Sequence, residues 1–436
     1  MPALLLLLLL PLSAVSAAAA EDPVLAWNEV ALAAVAADHA DGFEQAGPTR
    51  TARALAIVHA AVYDAAIAVE RKRRPVSLVA AVATAAHDTL AALYPAQSGN
   101  FGAALVAELA QVASETERSA GVRLGARAAR HALHERKHDG SEDGVVWTPS
   151  QAPGRHRVDP LHPEQGFLDP GWGAVEPFVL EAGDQLRPPP PPALDSAEYA
   201  ASFDEVERLG GDGVTTPTER SDEQTEIGLF WGYDGTPGLG TPPRLYNQIA
   251  RVIAEQQGNG PLENAELFLL VNLALADAGI ACWEAKYVYD LWRPVIGIRE
   301  ADGGLMLDPS WTPLGAPASN ASGTDFTPPF PAYPSGHATF GAALFRVLER
   351  FYGTDAIAFD FVSDELNGVT TDWAGNARSL EERSFATLSE AMWENAQSRI
   401  YLGIHWSFDA TEGVALGEAV GDYVFERALT PRGRRR

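Results

Sequence analysis

Residues 330–351 read FPAYPSGHATFGAALFRVLERF and predict how this part of the chain folds. A Pro-rich approach gives way to Ser335-Gly336-His337, after which apolar residues recur at the spacing of one helix face. Serine caps the N-terminus of a helix, where free backbone N–H groups favour an anion, and Gly336 allows close approach of the backbone. The stretch therefore predicts an amphipathic helix whose first turn suits an oxyanion, with His337 beside it. An ordinary serine cap with an incidental histidine is the alternative.

Helical periodicity extends over most of the chain. Residues 21–140 form an Ala-rich N-terminal helical region, in which Leu55, Val58, His59 and Val62 fall on one face. Long helical segments return in residues 223–430, and no alternating strand pattern stands out. We therefore expect an all-α protein built from two four-helix-bundle-like halves.

The two helical regions are joined by a long Pro/Gly-rich connection. Residues 141–222 lose the helical pattern and include a proline run from Pro188 to Pro192, which favours polyproline II. At the other end, residues 431–436 contain four arginines and predict a basic tail.

Residues 1–20 read MPALLLLLLLPLSAVSAAAA, an apolar run followed by small residues. This pattern is typical of a secretory signal peptide, so we expect a secreted or periplasmic protein. A lipid anchor or an uncleaved membrane tether is the alternative, because no Lys or Arg precedes the apolar run. No later stretch looks apolar enough to span a bilayer, so no membrane partner is expected after cleavage.

The charge of the chain restricts its partners. Its 436 residues carry a formal net charge of −26, which repels nucleic acid and anionic membranes. An oxyanion site in such a protein must be locally basic. The single cysteine, Cys282, excludes an intramolecular disulfide and is expected to be a small buried residue.

A first candidate cluster lies in CWEAKYVYDLWRP, residues 282–294. Lys286 and Arg293 are seven positions apart, which is nearly two helical turns. We expect both cations on one helix face, about 10 Å apart along the axis, with Pro294 ending the helix. Alone, such a pair is more often a solvated surface.

A second cluster lies in SRIYLGIHWSFD, residues 398–409, with Arg399, His405 and Asp409. Asp409 lies four positions after His405, so on a helix it can accept one imidazole N–H. The other ring nitrogen then offers its lone pair to a metal oxyanion or a phosphoryl group. A core histidine paired with a carboxylate is the competing interpretation.

Together these segments supply three cations, neutral donors and two imidazoles for one tetrahedral oxyanion. The order K-x6-R-P, P-S-G-H and S-R-x5-H-x3-D resembles the signature of the vanadium-dependent haloperoxidase and type-2 phosphatidic-acid phosphatase superfamily. Residues 231–254, 282–294 and 326–345 resemble its chloroperoxidase branch in particular. The resemblance covers roughly residues 223–420.

The resemblance implies vanadate as cofactor and a role for each matching residue. His405 would coordinate vanadium, His337 would act as acid–base, and Asp234 would support an arginine. The halide pocket would include Trp283 and Phe330, and Phe330 favours chloride competence. The oxygens of vanadate would be held by Lys286, Arg293, Ser335, Gly336 and Arg399.

The implied activity is oxidation of halide by hydrogen peroxide to hypohalous acid, which then reacts with small organic acceptors. Lys286 would polarise the activated oxygen. One alternative is an acid phosphatase with His405 as nucleophile, Asp409 orienting it and His337 protonating the leaving group. Another is a non-catalytic oxyanion-binding protein.

A separate metal site at His131, His134 and His138 is less favoured than a polar helix end. The sequence leaves the oligomeric state open.

Overall fold

A computed structural model describes residues 22–301 and 303–430, so the predicted signal peptide and basic tail lie outside the described residues. In the described part, the regular secondary structure is almost entirely helical, as predicted, although long loops separate several helices. Its helices and strands are α1 (Pro23–Asp38), α2 (Pro48–Glu70), α3 (Leu78–Leu93), α4 (Ser98–Ala110), α5 (Glu115–Glu135), α6 (Ala197–Leu209), α7 (Asp222–Phe230), α8 (Pro242–Gln257), α9 (Pro261–Tyr289), α10 (Pro294–Glu300), α11 (Gly336–Tyr352), β1 (Phe359–Asn367), β2 (Leu380–Phe385), α12 (Leu388–Tyr401) and α13 (Ser407–Arg427).

The N-terminal helices start at polar caps and pack through small side chains. Ser77 and Ser114 accept backbone N–H groups at the starts of α3 and α5. A Cβ atom on Gly125 of α5 would lie 2.3 Å from the carbonyl oxygen of Ala81, so glycine is required where these helices approach. Helix α2 packs on α3, α5 and α9 and so joins this half of the protein to the next.

Helix α9 is the central helix and corrects one expectation. It contains an 18-residue window with a mean hydropathy of 1.7, which is apolar enough by composition to cross a membrane. Helix α2 also meets this criterion, so the expectation that no later stretch would do so was wrong. In α9, 94% of the window is buried inside the protein, where it packs against α2, α11 and α13. A helix that is apolar all round is a core helix in this setting.

The long connection is more ordered than its composition indicates. It includes α6, which Ser196 caps and which packs against α10, α12 and α13. Earlier in the connection, the backbone N–H groups of Phe178, Val179 and Leu180 donate to the buried carboxylate of Asp277 on α9, at 2.6–2.8 Å. These bonds attach the connection to the core, because a buried carboxylate needs such donors.

The antiparallel hairpin of β1 and β2 was not predicted. Strand β1 alternates buried and more exposed residues over much of its length, as a half-buried strand should. Two of its buried positions are Ser363 and Glu365, and these polar residues hide the alternation from a hydrophobicity pattern.

Candidate active site

Lys286 and Arg293 do not share one helix, and this expectation was wrong. Helix α9 ends at Tyr289, and Asp290 takes a left-handed conformation with φ 56°. Arg293 is then the N-cap of α10, with Pro294 at the first helical position. Proline favours that position and keeps the preceding residue extended, so Pro294 begins a helix instead of ending one.

Lys286 is fully buried, and its ammonium group is held by backbone carbonyl groups. Nζ donates to the carbonyl oxygens of Pro331, Ala332 and Pro334, at 2.8, 3.0 and 2.5 Å. Burial lowers the pKa of Lys286 to about 7. The three acceptors match the three N–H donors of an ammonium and so favour the charged form against that shift. Lys286 thereby holds the Pro-rich segment that leads into α11.

Arg293 and His405 are in direct contact. Arg293 Nη1 lies 2.9 Å from His405 Nε2 and also donates to the carbonyl oxygen of Ile404 at 2.8 Å. The expected bond to Asp409 is present, because His405 Nδ1–H donates to Asp409 Oδ2 at 2.9 Å. The helix on which this expectation depended does not include His405, which precedes Trp406, the N-cap of α13. Burial and the neighbouring arginine lower the pKa of His405 well below its usual value. The imidazole is therefore neutral and carries its lone pair on Nε2, which accepts the N–H of Arg293 Nη1.

Asp409 also organises the start of two helices. Its side chain accepts the backbone N–H of Trp406, the N-cap of α13, at 3.0 Å. Its backbone carbonyl oxygen accepts the N–H of Ser335, the N-cap of α11, at 2.9 Å. Burial raises the pKa of Asp409 to about 7. The starts of α11 and α13 are therefore fixed beside each other.

Ser335 and Gly336 open α11 as predicted. Ser335 Oγ accepts the backbone N–H of Ala338 at 3.5 Å, which is the geometry of a serine cap. A Cβ atom on Gly336 would lie 3.5 Å from the ring of Trp283 and 3.9 Å from Lys286 Cε. A side chain at this position would occupy the space beside both residues.

His337 lies in the first turn of α11 and contacts a loop after α7. Its Nε2–H donates to the carbonyl oxygen of Gly232 at 2.7 Å, so Nδ1 carries the lone pair of the neutral ring. Burial and Arg399 lower the pKa of His337 to about 3. The carbonyl oxygen of His337 itself accepts from Tyr246 and Asn395, at 2.9 and 3.0 Å.

Asp234, in the same loop, pairs with Arg399 as expected from the resemblance. Arg399 Nη2 donates to both carboxylate oxygens, and both side chains are almost fully buried. Such a pair neutralises one cation of the site and holds its guanidinium in place.

Glu365 is a buried carboxylate that the sequence analysis missed. It lies on β1 and accepts the backbone N–H of Tyr233 at 2.9 Å, and it also bonds to Ser319 and Arg378. Burial raises its pKa to about 7. Glu365 thus holds the loop that presents Gly232 to His337 and Asp234 to Arg399. Only the pairing of β1 with this loop reveals its position, so no local signal could have found it.

The buried polar atoms suit an oxyanion. Arg293 Nη2 and Arg399 Nε are buried and have no hydrogen-bond partner among the described residues. Three cations, Lys286, Arg293 and Arg399, face only the carboxyl groups of Asp234 and Asp409 here. An anion with several oxygens would satisfy the unused donors and balance the excess positive charge. The residues therefore fit vanadate or phosphate.

A cavity of about 250 Å³ opens beside these groups. Its polar wall is formed by Asp234, Gly336, His337, Arg399 and His405. Its apolar wall includes Trp283 and Phe330, whose ring centroids are 4.8 Å apart. Lys286, Arg293 and Ser335 are in contact with this assembly but lie behind the residues that line the cavity.

The first helical region also contributes to the cavity, which the sequence did not predict. His39, Phe43 and Pro48 line it together with Leu168 from the connection. His39 Nδ1–H donates to the carbonyl oxygen of Val35, and Nε2 accepts the N–H of Gly47 at 3.1 Å. Both ring nitrogens are therefore committed to the backbone.

Two further predictions concern residues outside this site, namely the single cysteine and the three histidines between residues 131 and 138. Cys282 is a buried free thiol, as expected. His131 and His134 are exposed on α5, whereas His138 lies beyond its last residue, Glu135. No group of three or more His, Cys, Asp or Glu side chains in residues 22–301 and 303–430 is placed to hold a metal ion.

Comparisons with known proteins give a matching family model and a similar relative. A family model described as the VCPO second helical-bundle domain matches residues 266–433. The chain is 34% identical over 483 residues to vanadium chloroperoxidase from Curvularia inaequalis, covering 89% of this chain and 79% of that protein.

Two solved structures share the fold. A bacterial vanadium-dependent iodoperoxidase superposes with a TM-score of 0.75 at 24% identity, over 92% of this chain and 96% of that chain. A holo-type bacterial vanadium-dependent chloroperoxidase gives a TM-score of 0.66 at 18% identity, over 89% and 94%. At these identities the likeness concerns the fold alone.

Proposed function

The chain belongs to the vanadium-dependent haloperoxidase family, and on that premise we propose that it uses hydrogen peroxide to oxidise halide to hypohalous acid, with vanadate as cofactor. The observation that carries the proposal is the pair of unused, buried guanidinium donors on Arg293 and Arg399 beside the neutral ring of His405. Such a site suits a multiply charged oxyanion, and the lone pair of His405 Nε2 would bind the metal once Arg293 Nη1 turns from it to the anion.

Each residue then has a distinct role. His405 Nε2 would hold the metal, and Asp409 fixes the ring through Nδ1–H. Arg293, Arg399, Ser335 and Gly336 would hold the oxygens, and Lys286, whose three donors are used by backbone carbonyl groups, would contribute its positive charge. When bound, vanadate supplies the Lewis acidity that activates hydrogen peroxide.

The protein contributes proton transfer and charge stabilisation. His337 is neutral, and its Nδ1 can take a proton from hydrogen peroxide while Gly232 holds Nε2–H. Lys286 is a fixed cation behind Gly336 and stabilises negative charge that develops on the oxygens. Halide oxidation consumes one peroxide and one proton per halide and gives hypohalous acid and one water. The hypohalous acid then halogenates an organic acceptor, which releases a second water.

The decisive experiment is an assay of the purified full chain with and without vanadate. We expect peroxide-dependent halide oxidation only with vanadate, and its loss in His405→Ala. His87→Ala is the matched control, because His87 lies on α3 and pairs with Asp88. Hydrolysis of phosphate esters without halide oxidation would replace this proposal by an acid phosphatase that uses His405 as nucleophile. Vanadate binding without any turnover would indicate an oxyanion-binding protein.

We further propose chloride competence. Phe330 packs on Trp283, and the cationic groups of Lys286 and Arg293 lie 5.1 and 4.9 Å from its ring centroid. The side chains of Trp283 and Phe330 offer no hydrogen-bond acceptor that would compete with a halide for the cations. Phe330→His should lower the ratio of chloride to bromide oxidation, and an unchanged ratio would contradict the assignment.

Export is a separate proposal and depends on the apolar leader, residues 1–20. Expression of the full chain in a bacterial host should give a shortened protein in the periplasm or medium. N-terminal sequencing of that product would identify the cleavage site, whereas an uncleaved, membrane-associated product would indicate a tether.

A further inference from the structure

The geometry points to a binding site for a small neutral aromatic acceptor in the cavity that His337, Arg399 and His405 line. Phe43 forms one wall of that site. This inference rests on the proposed function, because it names the class of molecule that would receive the halogen. Its starting point is Phe43, whose left-handed backbone conformation costs conformational free energy.

Phe43 is both exposed and conformationally strained. Its exposed fraction is 62%, although it lines the cavity that contains His337 and His405. Its φ is 53°, in the left-handed region that costs an ordinary residue about 1–2 kcal/mol. Strain and an exposed apolar ring at the edge of a reactive site together indicate a function for the side chain.

The backbone around Phe43 is fixed by one carboxylate. Asp38 Oδ1 accepts the N–H of Glu44 at 2.7 Å, and Oδ2 accepts the N–H of Gln45 at 2.9 Å. The N–H of Phe43 itself donates to the carbonyl oxygen of Asp38 at 3.0 Å. These bonds hold the left-handed turn, so the ring is attached to a well-defined segment.

Leu168 connects the other walls of the cavity. Its backbone N–H donates to the carbonyl oxygen of Pro329 at 2.9 Å. Its own carbonyl oxygen accepts from Trp283 Nε1 and the hydroxyl of Tyr287, at 3.3 and 2.7 Å. A Cβ atom on Gly47 would lie 3.1 Å from a methyl carbon of Leu168, which brings the segment after Phe43 against the same residue. The walls are therefore joined before any ligand binds, which lowers the entropic cost of binding.

The cavity is larger than the inorganic reactants require. Its volume is about 250 Å³. An apolar cavity of about 150 Å³ is enough to bind benzene in a protein, and about 10–15 Å³ holds one water molecule. Space for an aromatic ring therefore remains beside an oxyanion and a halide.

The lining selects the chemistry of the ligand. Phe43, Phe326 and Phe340 join Trp283 and Phe330 along the cavity, with Pro328 and Pro329 between them. Among the residues that the structure describes, Asp234 is the only carboxylate that lines the cavity, and it is already paired with Arg399. Rings favour stacked or edge-to-face contact with other rings, and no free charge on this wall selects an ionic acceptor.

A bound ring would be halogenated in place. Hypohalous acid transfers its halogen to a ring carbon, so a carbon–halogen bond forms and the oxygen–halogen bond breaks. The hydroxide that leaves combines with the proton lost from the same carbon to give water. Phe43 would restrict which ring carbon faces the oxidant.

The test compares phenol with cyclohexanol, which has similar size and polarity but no aromatic ring. Binding is measured by calorimetry on vanadate-loaded full chain without peroxide or halide. We expect phenol to bind at least several-fold more tightly than cyclohexanol. Phe43→Gly should weaken phenol binding about 2- to 10-fold, the value of one aromatic contact. Glycine suits the left-handed backbone, so this variant should fold.

Trp373→Ala is the control, because Trp373 is another exposed aromatic residue that does not line this cavity. Equal binding of the two alcohols, or unchanged phenol binding in Phe43→Gly, would overturn the inference. The ortho-to-para ratio of halogenated phenol should also differ from that of free hypohalous acid and approach it in Phe43→Gly. Absence of hypohalous acid without phenol would refute the proposed function instead, and the binding data would still decide this inference.

Discussion

Arg399 Nη2 donates to both carboxylate oxygens of Asp234, at 2.7 and 2.8 Å, although the two residues are 165 positions apart in the chain. The exposed fractions of their side chains are 1% and 5%. Removing one partner of a buried ion pair leaves the other charge uncompensated, which costs about 3–5 kcal/mol.

We therefore expect Asp234→Ala to lower the free energy of unfolding by about 3–5 kcal/mol when no oxyanion is present. Added vanadate should recover part of this loss, because the anion replaces the missing negative charge beside Arg399. Denaturant titrations with and without vanadate measure both effects. Asp204→Ala removes the exposed partner of Arg208 and should cost less than about 1 kcal/mol. Equal losses in the two variants would contradict this account.

Oxyanion affinity should fall as the pH rises through about 7. Burial lowers the pKa of Lys286 to about 7, so the ammonium is fully charged below that pH and loses its charge above it. Asp409, whose pKa is raised to about 7, gains negative charge over the same range, and both changes disfavour an anion. Sulfate is a suitable probe, because its own charge is constant from pH 5.5 to 9.

In Lys286→Gln, sulfate should bind more weakly at low pH, and its affinity should change less across neutrality. A wild-type affinity that is constant from pH 5.5 to 9 would show that the three carbonyl acceptors keep Lys286 charged throughout.

Glu365 should act as a positioning residue. Glu365→Gln keeps the size of the side chain but removes the charge that Arg378 contacts, which loosens the loop that carries Gly232 and Asp234. We expect a severalfold lower kcat with little change in KM for halide. The acid side of the pH–rate profile should also shift, because Gly232 accepts the Nε2–H of His337. Glu382→Gln alters an exposed carboxylate on the same hairpin and is the matched control.

Two glycine-to-alanine substitutions in helices should have opposite effects on stability. A Cβ atom on Gly417 of α13 would lie 2.2 Å from the carbonyl oxygen of Thr339 in α11, so Gly417→Ala should destabilise the protein by at least about 1–3 kcal/mol. Gly102 of α4 has no atom within 4 Å of its Cβ position, so Gly102→Ala should stabilise it by about 0.5–1 kcal/mol. Denaturant unfolding compares both, and a stable Gly417→Ala would refute the close packing of α11 and α13.

The helices could be predicted from the sequence because their signals are local. The cap at Ser335 and the bond from His405 to Asp409 involve residues at most four positions apart, and both were expected correctly. The prediction that Lys286 and Arg293 share one helix was wrong, since Pro294 fits either the end or the start of a helix.

Long-range features lacked such signals. Glu365 binds the N–H of Tyr233, 132 positions earlier, so its role depends on tertiary pairing of β1 with a distant loop. Phe43 likewise reaches the cavity only because the first helical region packs against the second. Its left-handed backbone is imposed by Asp38 and cannot be read from the residue type.

The division of the cavity between the two helical regions has an evolutionary consequence. The residues that we propose to hold the anion lie between Lys286 and His405, whereas Phe43 and His39 come from the first helical region. Substitutions and insertions around residues 38–48 can therefore alter which molecules reach the reacting centre while the residues that hold the anion stay the same. If Phe43 binds the acceptor as proposed, relatives with the same inorganic chemistry can differ in organic selectivity through substitutions in this short segment.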